Sequence, residues 1–212
     1  MDRIVDIKVK NVNIGVCGGD GSGKTNVLNG LKEAAEKYNV NVLFVREPGG
    51  TFISEQIRSV IVNKENTMMD ATTEAMLFAA ARNQLMKEIV LPEIGKRTII
   101  SDRTIESNYV YQGHVRGLGE EKITEINKYA MEGMHYDYII YLDLDPEIAQ
   151  QRITQNNRNT NRLDLETIEF HRKVREGYLL RAKKYPEKYI VIDASQSKEK
   201  VLEDVLTSIG LN

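Results

Sequence analysis

Residues 18–25, which read GGDGSGKT, constrain the fold of this chain more than any other stretch. They match the pattern G-x-x-x-x-G-K-[ST] in full, and a chance match in a chain this long occurs roughly once in a hundred. The apolar run VNIGVC comes directly before them, and helix-like spacing begins near Lys24. A strand, a glycine-rich turn and a helix N-terminus together predict a loop that binds the phosphates of a nucleoside triphosphate.

The residue types of this loop explain how it can hold phosphates. Glycines let the backbone curl so that its N–H groups point inward. Lys24 can reach the β- and γ-phosphates, and the hydroxyl of Thr25 can ligate Mg²⁺. The residues expected to bind the nucleotide are Gly18, Gly19, Asp20, Gly21, Ser22, Gly23, Lys24 and Thr25. GTPases, motor-like ATPases and kinases share such a loop, so the reaction stays open at this point.

Short apolar runs alternate with helix-like segments along the whole chain. The five runs lie at 12–17, 41–45, 97–101, 138–144 and 189–193. Most are rich in Val and Ile and almost continuously apolar, as strands covered on both faces are. Segments with helical spacing, such as 73–96 and 165–185, separate them. This alternation predicts an α/β fold of three layers, with five parallel strands flanked by helices and ligands at their carboxyl ends.

Composition excludes several other classes of protein. The 212 residues show no internal repeat and predict a single domain over 1–212. A net charge of −2, from 29 basic and 31 acidic side chains, leaves no basic excess for general binding to nucleic acid. The one cysteine, Cys17, cannot form an intrachain disulfide, and no apolar run approaches a signal sequence or a bilayer span. We expect a cytoplasmic protein without membrane or nucleic-acid partners.

Two stretches after the second apolar run carry candidate acceptor-site residues. In REPGGT, the turn at 48–50 leaves Arg46 and Glu47 at a strand end, where a plain loop with a local ion pair is an equal alternative. In LFAAARNQ, Phe78 and Arg82 are four residues apart on one helix face, and a ring beside a guanidinium suits a flat heterocycle. Taken alone, that pair favours a core phenylalanine and a solvated arginine.

A third stretch, ISDRTIESNYVYQG, closes an apolar strand with a charged pair that has little structural reason to be there. Asp102 could hold Mg²⁺ directly or through water, and Arg103 could clamp a phosphate with two parallel hydrogen bonds. Further polar groups follow at near-helical spacing, namely Ser107, Asn108, Tyr111 and Gln112.

A fourth stretch, QRITQNNRNTNRLDLE, is polar and lies between two predicted helices. Its arginines are Arg152, Arg158 and Arg162. This composition is typical of a mobile lid, at about 151–164, whose arginines could fold over the transferring phosphates. An exposed basic loop is the competing interpretation.

Taken in this order, the stretches resemble the thymidylate kinase family of P-loop nucleoside monophosphate kinases. The similarity runs from about residue 11 to 205 and includes the phosphate loop, REPGGT, LFAAAR, DR…S…YQG, RGL, YLDLDPE, NRLD, FHRKVREGY and VIDAS. The resemblance implies Mg²⁺-dependent transfer of the γ-phosphate of ATP to dTMP, giving dTDP for nucleotide biosynthesis. It also implies a homodimer formed through helices that flank the sheet.

The resemblance implies roles for individual residues of the acceptor site. Phe78 would stack on the thymine and Arg82 would hydrogen-bond it. Asn108 and Gln112 would approach the base, and Tyr111 the deoxyribose. The acceptor phosphate and its surroundings are assigned to Arg103, Arg58, Arg46 and Pro48.

The resemblance also implies a catalytic and a metal-binding set. Asp20 would lie near the sugar 3′-hydroxyl and the metal. Because the phosphate loop carries no arginine, the catalytic arginine would come from the lid, as Arg158 or Arg162. The catalytic candidates are then Lys24, Asp20, Arg103, Arg158 and Arg162. The metal candidates are Thr25, Asp20, Asp102 and Asp164.

Four departures from the family pattern stand out. Cys17 replaces a usual Glu, Thr104 replaces an aromatic or His, Tyr136 replaces a Pro, and the lid reads Asn-Arg-Leu-Asp at 161–164 where Asp-Arg-x-Glu is usual. A changed pocket around Thr104 makes dUMP or a 5-substituted deoxyuridylate a second candidate for the acceptor.

Three further hypotheses for the function stay open. The chain could be a kinase for another deoxynucleotide or for a nucleoside. It could be a GTPase-like switch, although such a protein should carry an N-K-x-D motif, which this chain lacks. It could also be a catalytically degraded scaffold, which the changes at Cys17 and Asp164 would suggest.

Overall fold

The structure is a computed structural model that describes residues 11–155, 162–163 and 166–211. Five parallel strands form one sheet in the order β2-β3-β1-β4-β5. Their bounds are β1 Asn13–Gly18, β2 Val42–Arg46, β3 Thr98–Asp102, β4 Tyr138–Asp143 and β5 Tyr189–Asp193. Each lies within one residue of a predicted apolar run, so the predicted α/β fold with five parallel strands is confirmed.

Helices cover both faces of this sheet and connect its parallel strands. Their bounds are α1 Lys24–Lys37, α2 Phe52–Val62, α3 Ala71–Leu85, α4 Ile105–Asn108, α5 Glu120–Met131, α6 Pro146–Gln155, α7 Ile168–Lys184 and α8 Lys198–Ser208. Side-chain oxygens of Thr51, Asp70, Thr167 and Ser197 cap the first turns of α2, α3, α7 and α8. Such caps satisfy backbone N–H groups that have no partner within the helix. The local sequence therefore determines where these four helices begin.

The predicted helix over 73–96 is interrupted in the structure. After α3, the chain continues as a π-helical turn, Met86–Val90, and a 3₁₀ turn, Leu91–Glu93. Pro92 lies in that last turn, where its missing N–H and its ring prevent a longer α-helix. A second π-helical segment, Tyr109–Val115, follows α4. It carries two of the predicted acceptor-site side chains, Tyr111 and Gln112.

Two apolar clusters occupy the two faces of the sheet, which explains why its strands read as continuous apolar runs. Neighbouring strand residues point to opposite faces, as with Ile99 and Ile100 of β3 or Ile139 and Ile140 of β4. One cluster packs against α1 and α8, and the other packs against the end of α3 and α7. The strands are therefore fixed on both sides, and their carboxyl ends form a rigid edge for a site. None of the described helices combines the length and the apolar character needed to cross a bilayer.

Candidate active site

A cleft of about 830 Å³ lies at the carboxyl edge of the sheet. The phosphate loop and the first turn of α1 form one wall, and the ends of β2 and β3 form the other. Predicted residues that line it are Asp20, Gly21, Ser22, Gly23, Lys24, Thr25, Arg46, Pro48, Arg58, Phe78, Asp102, Arg103, Ser107 and Tyr111. The cleft thus joins the predicted triphosphate loop to most of the predicted acceptor residues.

The phosphate loop has the backbone conformation that its glycines permit. Gly21 and Gly23 have φ angles of 80° and 89°, in the left-handed region that a side chain disfavours. Gly23, the N-cap residue of α1, has no side chain that could cap the helix, and the first turn of α1 contains no acidic residue. The N–H groups and the positive end of the helix dipole are therefore open to an anion in the cleft.

The Lys24 ammonium is held against the loop from which it projects. It donates hydrogen bonds to the carbonyl oxygens of Gly18 at 2.9 Å and Gly19 at 2.8 Å. Burial, followed by repulsion from the Arg103 cation, lowers the pKa of Lys24 to about 8. Lys24 is therefore positioned to meet phosphate oxygens and is mostly charged at neutral pH.

Arg103 connects the two walls of the cleft. Its guanidinium donates to Asp20 Oδ1 at 3.0 Å, and the Gly18 carbonyl and the Tyr111 hydroxyl lie 3.5 Å from its other terminal nitrogen. Its backbone has a φ of 66°, and its N–H donates to the carbonyl of Val16 in β1 at 2.9 Å. The arginine expected to bind the acceptor phosphate is thus held directly beside the loop expected to bind the donor.

Few carboxylates reach the cleft, and only some of them are available to a metal. Among the described residues, no cluster of three or more His, Cys, Asp or Glu side chains could enclose an ion by itself. Asp102 lines the cleft, and its buried Oδ1 has no hydrogen-bond partner within 11–155, 162–163 and 166–211. Asp20 binds Arg103, and Asp164 lies outside the described residues.

The acceptor side of the cleft is built from the ends of β2 and β3 and from α2 and α3. Arg58 donates to the carbonyl of Pro48 at 2.9 Å, while the exposed Arg46 forms an ion pair with Glu55. Phe78 is half-buried on the cleft wall, and the Ser107 hydroxyl lies 2.9 Å from the hydroxyl of Tyr178. The ring of Phe78 is therefore placed to contact a flat group, as the resemblance implies.

Arg82 lies deeper than the cleft wall. Its side chain is 2% exposed and donates to Glu47 at 2.6 Å, to Asn108 at 3.1 Å and to Asn127. The competing interpretation of LFAAARNQ is therefore wrong. Arg82 is not a solvated arginine and Phe78 is not fully in the core. Arg46 does form a local ion pair, with Glu55 of α2, whereas Glu47 pairs with the distant Arg82 of α3.

Asn108 and Gln112 are also buried behind the wall. The Asn108 amide donates to Gln112 at 2.6 Å, and the Gln112 amide donates to Glu74 at 2.6 Å. Together with Arg82 they form one hydrogen-bonded group that lies behind the lining residues Ser107 and Tyr111. Their predicted contacts with the base stay predictions.

The first residues of the predicted lid, 151–155, belong to α6, which continues to Gln155. Arg152 belongs to that helix and donates to the carbonyls of Ala194 at 2.9 Å and Ser195 at 3.3 Å. Arg162 is buried and binds Glu74 of α3 and the carbonyl of Ile61 at the end of α2. Arg158 lies outside the described residues.

Two of the departures from the family pattern meet beneath the loop. The Cys17 Sγ lies 3.7 Å from the Thr104 hydroxyl, and both residues are fully buried. Burial raises the pKa of Cys17 to about 11, so the thiol is neutral, and its buried position is that of a packing residue. Thr104 packs against the backbone of Gly15 and does not line the cleft, in contrast to the expectation that it lies close to the acceptor.

Three polar residues that support the site have no place in the predicted set, namely Glu74, Asn127 and Tyr136. A sequence signal exists for Glu74. It precedes Phe78 by four residues and Arg82 by eight, so all three share one face of α3. An acidic residue that is buried on that face needs a partner there. Asn127 and Tyr136 carry no comparable local signal.

Comparisons with known proteins agree with this arrangement. The family model described as thymidylate kinase matches residues 16–205. The thymidylate kinase of Clostridium novyi is 46% identical over 190 residues, which cover 89% of this chain and 93% of that protein. The enzyme of Bacillus velezensis is 47% identical over 195 residues, covering 91% and 92%. A crystal structure of thymidylate kinase from Ehrlichia chaffeensis superposes with a TM-score of 0.73 at 27% identity, covering 92% of this chain and 96% of that one.

Proposed function

Because this chain belongs to the thymidylate kinase family, we propose that it transfers the γ-phosphate of ATP to dTMP in a Mg²⁺-dependent reaction that yields dTDP. The observation that carries the proposal is the 3.0 Å bond between Arg103 and Asp20, which holds the arginine that we propose for the acceptor phosphate against the loop that we propose for ATP. Donor and acceptor phosphates bound on the two sides of that contact would lie close together. A cytoplasmic location, where ATP is available, is part of the proposal.

The chemistry needs charge neutralisation more than proton transfer. The second pKa of a phosphate monoester is about 6, so the acceptor oxygen is already mostly ionised at neutral pH and requires no general base. The obstacle is the approach of two anions. Lys24, Arg58 and Arg103 line the cleft and can offset that repulsion, while the loop N–H groups fix the donor.

The residues present fit a magnesium ion bound mainly through phosphates. Mg²⁺ prefers oxygen ligands and usually takes one or two groups from a protein, keeping waters and substrate phosphates as the others. The groups we propose for it, directly or through water, are the exposed Thr25 and the Oδ1 of Asp102, which has no partner in the described part of the chain. When bound, the ion would neutralise charge on the transferring phosphate oxygens. Asp20 would act mainly through Arg103.

The acceptor nucleoside would lie against the β2–α2 side of the cleft. Phe78 offers a ring for the thymine, and Tyr111 lies where the deoxyribose would follow, next to Arg103. A lid formed by part of 151–164 would then exclude water, which competes with dTMP as acceptor. We propose Arg158 as the lid arginine that meets the phosphates.

A panel of nucleotides tests the proposed acceptor. With ATP and Mg²⁺, we expect kcat/KM for dTMP to exceed that for dUMP, because a hydrophobic pocket gains roughly 10–200-fold from a methyl group. The measurement is coupled ADP release with dTMP, dUMP, 5-substituted deoxyuridylates, dCMP and thymidine. A higher kcat/KM for dUMP would favour deoxyuridylate as the acceptor, and indifference to every monophosphate would remove the kinase assignment to this site.

We also propose a homodimer formed through the outer face of α2, α3 and α5. Large apolar side chains are exposed there, namely Phe52, Ile53, Val60, Met68, Met76 and Tyr129. Phe52 is 80% exposed and Met68 93%, and a surface of this kind is typical of an interface. We expect sedimentation to give twice the mass of the chain, and Met76→Lys to give a monomer. An equally charged substitution at Leu180 on α7, outside that face, should leave the mass unchanged.

A further inference from the structure

Seven buried polar side chains form a continuous row of hydrogen bonds behind the cleft, which we call the buried polar chain. In order they are Tyr136, Glu47, Arg82, Asn108, Gln112, Glu74 and Arg162. They come from five regions that the fold brings together: the β2 end, α3, the α4–π-helical stretch, the loop before β4 and residue 162. The donor–acceptor distances run from 2.6 to 3.1 Å along the row from Tyr136 to Glu74.

The ends of this row force its two amides into one orientation. An ionised carboxylate only accepts hydrogen bonds, and a guanidinium only donates them. Glu74 Oε1 therefore requires the NH₂ group of Gln112, which turns the Gln112 oxygen towards the NH₂ group of Asn108. The Asn108 oxygen then faces Arg82, as that arginine requires. Both amides expected to approach the base are oriented through Glu74.

Glu74 also holds residue 162. Its Oε2 accepts from the Arg162 guanidinium, whose Nε donates to the Ile61 carbonyl at 3.1 Å. The Arg162 N–H donates to the Val62 carbonyl at 3.3 Å, so residue 162 is attached to the end of α2 as well. Arg116 is the second cation near this carboxylate, with its Nε 3.7 Å from Oε1, and it is bound more closely to Glu166 at 2.5 Å. Arg162 is therefore the main counter-ion of a buried carboxylate.

Building on the proposed function, we propose that Glu74 is a positioning residue that couples the bound position of Arg162 to recognition of the acceptor base. One carboxylate oxygen orients Gln112 and the other binds Arg162. If Arg162 is displaced, the buried carboxylate of Glu74 loses its main counter-ion. The change then disturbs the Gln112 and Asn108 amides, which are the groups proposed to recognise the base. By linkage, a bound base that needs those amides favours the seated position of Arg162. Arg162 is then held against α2 and α3, in place of the phosphate contact expected from the sequence.

A double-mutant cycle on this pair tests the proposal. The variants are Glu74→Gln, Arg162→Met and the double variant, which removes both charges and leaves neither uncompensated. We expect each single variant to raise the KM for dTMP roughly ten- to hundredfold, the usual effect of losing a hydrogen bond to a charged group. The KM for ATP should change little, because the bonds of Glu74 run to Gln112, Arg116 and Arg162 and not to the phosphate loop. The double variant should be no worse than the poorer single variant.

Two further variants separate positioning from general destabilisation. Arg162→Lys keeps the charge and should recover part of the dTMP affinity. The exposed pair of Arg172 and Glu147 is the matched control, and Arg172→Met should leave both KM values at the parental level. Thermal unfolding of every variant shows whether it is folded. If a single variant fails to fold, a comparison of the double variant with the parent still measures the effect of the pair on the KM for dTMP.

Distinct outcomes overturn the two proposals. If the parent enzyme leaves dTMP unchanged, the proposed function fails, and this inference fails with it. If the parent is active but Arg162→Met lowers kcat alone, with parental kinetics for Glu74→Gln, then Arg162 acts on the phosphates and the coupling is refuted. Multiplicative effects in the double variant would refute it equally.

Discussion

Lys24→Met should lower kcat by roughly 10²–10³, because it removes the ammonium that we propose neutralises charge on the phosphates during transfer. Methionine keeps the length and the apolar stem of the side chain, so the loop loses its charge and little of its packing. The measurement is steady-state turnover of dTMP at saturating ATP. Lys32→Ala, at an exposed position of the same helix, is the control and should retain parental activity. Parental turnover of Lys24→Met would remove Lys24 from the mechanism.

Lys24 also predicts how kcat/KM for ATP depends on pH. The lowered pKa of Lys24, about 8, means that its ammonium is charged below that pH and neutral above it. Because kcat/KM reports ionisations of the free enzyme, kcat/KM for ATP should fall as the pH rises through about 8. Lys24→Arg stays charged at every accessible pH, so its lower activity should not show this fall. A profile for the parent that stays flat well above that pKa would contradict the assignment.

Arg103→Ala should lower kcat/KM for dTMP by a comparable factor, about 10²–10³, through both kcat and KM. Arg103 binds Asp20 and lines the cleft beside Tyr111, so its loss would remove the proposed contact with the acceptor phosphate and the bond to Asp20. Steady-state kinetics with varied dTMP measure both effects. Arg103→Lys keeps the charge but lacks the planar guanidinium, so its kcat/KM for dTMP should lie between that of the parent and that of Arg103→Ala.

The control for Arg103 is Arg97→Ala, at the opposite end of β3, where the side chain pairs with Glu93 at 2.9 Å. It should leave the kinetics unchanged. If Arg103→Ala changed only the KM for ATP, this arginine would belong to the donor side of the cleft.

Local patterns predicted the frame of the molecule well. Each strand carries an almost continuous set of Val, Ile and similar residues, because both sheet faces are covered. The phosphate loop was equally clear, since its glycines and Lys24 act within a few residues of one another. The α/β fold and membership of the thymidylate kinase family follow from these patterns and are confirmed.

What the sequence could not predict is which polar residues meet across long separations. Arg162 and Glu74 are 88 positions apart, and Tyr136 and Glu47 are 89. Their pairing depends on strand order and helix placement, which bring distant segments side by side without any local signal. Thr104 shows the same effect, since its packing against Gly15 is fixed by the pairing of β1 with β3. A motif by itself therefore does not assign roles at such positions.

Arg103 occupies a left-handed backbone conformation with a φ of 66°. This conformation costs a residue with a Cβ about 1–2 kcal/mol relative to glycine, which adopts it freely. The chain thus carries a bulky side chain at a spot where the backbone favours none. A library of variants ranked by melting temperature alone would enrich glycine at position 103 and lose the residue that we propose binds the acceptor phosphate. Selection for thermal stability in this chain therefore needs a screen for turnover at that position.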